Sequence, residues 1–105
     1  MTTIRVVDEV GPICVDPDDG DRFYARLKAL FAEGGPVTLD FTGVTTLTSS
    51  FLNPSIGRLY GDFPADRLDR DLTCVGVDTT DADVIAVVRK FARDYYGRQS
   101  AGASR

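Results

Sequence analysis

Val37, Leu39 and Phe41 alternate with Thr38, Asp40 and Thr42. This is the two-residue period of a strand with one face in the core. The segments on either side keep a different period. Upstream, Phe23, Leu27, Leu30 and Phe31 recur at helical spacing, and Gly34-Gly35 follows, so a helix is expected from about Asp19 to Glu33 with a glycine C-cap. Downstream, Phe51, Leu52, Ile56, Leu59, Tyr60 and Phe63 form a second helical stripe. A strand held between two amphipathic helices needs both to cover it, which points to a layered α/β domain rather than an all-α or all-β one.

The rest of the chain extends that alternation. Ile4, Val6 and Val7, then Pro12 to Val15, read as two short strands turned at Gly11-Pro12. Asp16 to Asp21 is a turn rich in helix-capping residues. Leu72 to Val77 is nearly all apolar and reads as a central strand buried on both faces. Val84, Val87, Val88, Phe91 and Tyr95 mark a third helix closed by Gly97. The expected order is β-β-α-β-α-β-α, a mixed four-stranded sheet with three helices. The domain is expected over residues 1–96, with 97–105 as a disordered tail. Val37, Leu39, Phe41, Val75 and Val77 are expected to pack against Leu27, Ile56, Leu59, Val88 and Phe91.

The 105 residues carry 12 basic and 16 acidic side chains and no histidine. A net charge of −4 argues against nucleic acid and anionic membrane surfaces as partners. The missing histidine removes the commonest general base and the commonest zinc ligand. Glycine-rich phosphate loops are absent too, so neither a catalytic site nor a cofactor or metal is expected. In Asp16–Asp21 the glycine arrives one position too early for a calcium loop, and Arg26 stands where that loop needs Glu. Cys14 and Cys74 are expected as buried, reduced thiols in a cytoplasmic protein, since the acidic Asp8-Glu9 comes too early for a signal peptide.

One segment carries chemistry of its own. After Leu39-Asp40-Phe41 comes Gly43-Val44, then Thr48-Ser49-Ser50 where a helix is expected to begin. A serine at a helix N-terminus can cap it, or can accept a phosphate beside the positive end of the helix dipole. Pro54 leaves two starts open: Asn53 as the cap with Pro54 first in the helix, or a start near Ser50 with Pro54 in the first turn.

Leu39-Asp40-Phe41, Gly43-Val44 and Ser49-Ser50-Phe51-Leu52 resemble the signature of STAS domains, found in bacterial anti-sigma factor antagonists, and of a bacterial STAS-like family of unknown function. The resemblance extends over nearly the whole chain to about Tyr96 and implies a STAS-like sandwich. It implies a non-catalytic signalling domain that binds a protein partner, with Ser49 as the equivalent of the phosphoacceptor. Thr48, Ser50, Phe51 and Asn53 would then surround the docking site. The implied partner is an ATP-dependent serine kinase of the anti-sigma type. A constitutive adaptor that is never phosphorylated is the alternative.

Overall fold

The computed structural model describes the backbone of residues 1–103 and the side chains of residues 1–98. Strands β1 (Thr2–Arg5), β3 (Val37–Asp40) and β5 (Leu72–Val75) form one sheet in the order β1-β3-β5. Both pairings are parallel, so the sheet is not mixed as expected. β2 (Ile13–Cys14) and β4 (Thr46–Leu47) make a separate parallel ladder of two residues each. The expected turn at Gly11-Pro12 therefore joins no hairpin. Val6 to Glu9 close instead into a single helical turn, α1, which buries Val6.

The clearest sequence patterns give the clearest elements. α2 spans Pro17–Glu33, with the Asp16 side chain accepting from the Asp18 N–H at 2.8 Å and Pro17 in the first turn, where its missing N–H costs nothing. Gly34 and Gly35 have φ of +90° and +88°, which end the helix. β3 is the central strand. Val37 and Leu39 point into the core, in rows with Leu72 and with Ile4 and Cys74. On the opposite face Thr3, Thr38 and Thr73 lie side by side across the three strands. β5 is an edge strand, with Thr73 and Val75 exposed. The expectation of a strand buried on both faces fails because only alternate residues reach the helices.

α3 (Ser49–Leu52) continues without a break into a π-helical turn, Asn53–Gly57. α4 (Ala65–Asp71) was not expected; its sequence is charged apart from Ala65 and Leu68, so periodicity gave no warning. α5 runs Thr79–Ala103. It passes through Gly97 and most of the expected tail, whose last two residues lie outside the described ones. Arg89 fastens α5 to α4 by donating to the Leu68 and Leu72 carbonyls and to the Tyr60 hydroxyl, each at 2.9 Å.

Two expected core residues are not in the core: Val75 is 41% and Phe91 65% exposed. Val77 is half-buried, and so is Cys74. α5 meets the π-turn across small residues. A Cβ added at Gly57 would lie 3.5 Å from Val88 and 3.7 Å from Ala92. That approach turns Ile85, Val88 and Ala92 inward and leaves Phe91 facing water. Among the described residues no helix is long and apolar enough to cross a membrane.

Candidate partner-binding site

The Ser49 segment is anchored from three directions. The first anchor is the turn after β3. The Asp40 carboxylate accepts the Thr42 N–H at 2.9 Å, and its hydrogen bonds to Thr42 hold its pKa below the usual carboxylate value. Gly76, at φ +73°, packs against this turn; a Cβ there would lie 2.5 Å from the Thr42 Oγ1 and 2.6 Å from the Asp40 Oδ1. Asp40 in the Leu-Asp-Phe triplet is thus a turn-former, and Gly43 at φ +92° then redirects the chain.

The second anchor is the β2–β4 ladder. Cys14 pairs with Leu47, both buried, and the Cys14 carbonyl accepts the Thr48 N–H at 3.1 Å. On the other side of the ladder Ile13 is 56% exposed beside exposed Thr46. Sequence reasoning placed Ile13 simply within a strand. Its alternation with Cys14 was the available signal that it faces outward.

The third anchor is Phe51. Its ring stacks on Phe23 of α2 at 5.8 Å with 24° between planes. α2 comes close because residue 20 is glycine: a Cβ there would lie 2.6 Å from the Phe51 carbonyl oxygen. Phe51 was expected at the docking surface, and its complete burial removes it from that surface.

These anchors fix the helix start. Thr48 is extended, at φ −130° and ψ 160°, and its carbonyl accepts the Phe51 and Leu52 N–H groups. Ser49 and Ser50 are the first two helical residues, and both are exposed. In that position their own N–H groups lack partners within the helix and point along its positive end. Thr48 caps with its backbone alone: its hydroxyl is buried without a hydrogen-bond partner. Asn53 is exposed one turn on, and its N–H reaches the Ser49 carbonyl.

Pro54 therefore falls beyond the first turn, where neither sequence alternative put it. An α-helix there would push the proline ring into the Ser50 carbonyl. The helix widens instead to a π-turn, with the Arg58 N–H reaching back to Asn53 O. The buried Ser55 hydroxyl donates to the Phe51 carbonyl at 2.8 Å.

The thiols offer no reactive centre. Burial raises both Cys14 and Cys74 to about 11, so neither is a thiolate near neutrality. A cleft of about 290 Å³ lies between α1 and α2. Its charges neutralise one another as the pairs Glu9–Arg26 and Asp19–Arg22.

Together these features describe an α/β domain that presents two hydroxyls on a braced helix start. Residues 19–82 match the family described as STAS-like domains of unknown function. That is more than half of the chain, and the chain belongs to this family. No curated protein and no solved structure matches it.

Proposed function

We propose that this is a non-catalytic regulatory domain that binds another protein, with Ser49 as the phosphoacceptor of a partner switch. Thr48, Ser50 and Asn53 surround that serine, and a cytoplasmic serine kinase of the anti-sigma type is the partner. The observation that carries this reading is an exposed Ser49 at the first position of a helix whose start is anchored independently of the Ser49 side chain.

A phosphate on Ser49 brings about two negative charges to a helix N-terminus, an interaction favourable by ~0.3–2 kcal/mol. The domain thus tolerates the modification. A partner seated over Ser49 has to desolvate that dianion, and each ~1.4 kcal/mol lost is a tenfold loss of affinity.

The test is titration calorimetry of wild type, Ser49→Asp and Ser49→Ala against the copurified partner, with thermal melts alongside. Ser49→Asp is expected to weaken binding at least tenfold with little change in Tm, and Ser49→Ala to bind constitutively and stay a single species on a phosphate-sensitive gel. Equal affinities for wild type and Ser49→Asp would leave a constitutive adaptor. A large fall in Tm would make Ser49 a structural residue.

A further inference from the structure

α5 turns only part of its surface to the body. At 100° per residue, Ile85, Val88, Arg89, Ala92 and Tyr96 lie on the side that faces the core, and they are buried or half-buried. Val87, Phe91 and Tyr95, spaced four apart, form a second line beside that face and are 50%, 65% and 51% exposed. Neighbouring exposed apolar side chains of this kind are where a contact surface is sought.

The charges beside the line identify what fits it. Lys90 and Asp94 lie on its solvent side, one helical turn apart. Among the described residues neither forms a salt bridge. Two helices packed antiparallel about a two-fold axis bring the same flank of each together, with the direction reversed. Centred on Phe91, that operation sets Phe91 on its own copy, Val87 against Tyr95, and Lys90 beside Asp94 in both directions. Asp83 and Arg98 meet in the same way at the ends. In a parallel pair the charged flank of one helix would meet the opposite, uncharged flank of the other, and this complementarity would vanish.

We propose that the chain self-associates through α5, antiparallel about a two-fold axis at Phe91. One helix pair sits at the low end of interface sizes, ~1,200 Å² in total, so the association is sought over a wide concentration range. The Ser49 site is separate. Gly57 sits against Val88 and Ala92, and Gly61 against Tyr96, so the two helices run in the same direction. Ser49 is therefore level with the start of α5, away from Phe91, and the result does not depend on whether Ser49 is modified.

Sedimentation velocity from about 1 µM to 1 mM tests this. The wild type is expected to shift from the 11.4 kDa monomer toward twice that mass. Phe91→Glu is expected to stay monomeric with an unchanged melt at low concentration. Lys90→Glu and Asp94→Lys each place like charges together and are expected to weaken association at least tenfold. Mixed one to one, they are expected to recover the wild-type affinity, because every mixed dimer restores both charge pairs. A wild type that remains monomeric at 1 mM would overturn the proposal and leave the line for a different chain. So would a dimer indifferent to Phe91→Glu, or a mixture no tighter than its components.

Discussion

The helix that begins at Ser49 and the helix α5 pack against each other, yet they use their apolar residues differently. In the first, Phe51, Leu52, Ile56, Leu59 and Tyr60 are all buried. In α5, Ile85 and Val88 are buried while Val87, Phe91 and Tyr95 stand in water. Apolar periodicity shows that a helix has a face. It does not show which way that face points when two overlapping stripes are available. Close contact decides, and here the small pair Gly57 and Ala92 sets the rotation of α5.

The largest expected effect tests that difference directly. Phe51→Ala removes a fully buried, stacked ring and is expected to cost about 3–5 kcal/mol. Phe91→Ala, one aromatic for another in sequence terms, is expected to change stability by about 0.5 kcal/mol or less, since the ring is 65% exposed. Urea unfolding of dilute protein measures both. Equal losses would mean that Phe91 packs inside and that the assigned rotation of α5 is wrong.

Gly20 sharpens the same contrast from the α2 side. Gly20→Ala has to open a gap against the Phe51 carbonyl and the Pro54 ring, which an added Cβ would approach to 2.6 and 2.7 Å. A loss of about 2–3 kcal/mol is expected, in the range of overpacked cores. Gly97→Ala in α5, where nothing lies within 4 Å, is expected to stabilise slightly by helix propensity. Chemical denaturation of the two variants gives opposite signs if the contacts are right.

How much of this was legible in the sequence follows the same physical line. β3 and α2 were legible because one side of each is apolar and the other polar, with a capping Asp and two glycines marking the ends of the helix. α4 was not, because Leu68 is its one buried residue, set among charges that carry no periodicity. The edge position of β5 was hidden as well: a short apolar run looks the same whether one face is covered or both. At the candidate site, the exposure of Ser49, Ser50 and Asn53 could be anticipated, and the burial of the Thr48 hydroxyl could not. The π-turn could not, since Pro54 is equally at home in the first turn of a regular helix, and only the observed start at Ser49 puts it farther in. The burial of Phe51 depended on a glycine 31 positions away in sequence.

The two thiols report on the two regions separately. Cys14 lies under the ladder that fixes Thr48, and Cys74 lines a cavity of about 200 Å³ against Ile85 and Arg89 of α5. Both pKa values are raised by burial to about 11, above the usual 9. The folded state therefore holds these protons more tightly than the unfolded one. The associated stability is complete below pH 9 and lost as the pH climbs through about 11, on the order of 2 kcal/mol per thiol. Melting temperatures across that window are expected to fall, and to fall less in Cys14→Ala. At pH 8, alkylation followed by mass spectrometry is expected to label half-buried Cys74 before fully buried Cys14. The reverse order would place the looser region at the ladder, under Ser49.

The smallest expected effect separates two neighbouring hydroxyls. Ser49 is an exposed residue. Thr48 Oγ1 is buried with no partner, although Thr48 is the N-cap residue and its side chain is of a kind that normally caps. The backbone has taken over that task, since the Phe51 and Leu52 N–H groups both go to the Thr48 carbonyl. An unpaired buried hydroxyl costs stability, and an isosteric methyl in its place is neutral or better. Thr48→Val is therefore expected to leave the fold unchanged or stabilise it by up to about 1 kcal/mol, against the usual loss of ~0.5–2 kcal/mol when a working cap is removed. Ser49→Ala is expected to have almost no effect on stability, because the helix start is held from elsewhere. Urea midpoints at equal slope decide the matter. A loss above about 1 kcal/mol for Thr48→Val would show that its hydroxyl does cap the helix, and that Ser49 stands on a less firmly fixed start.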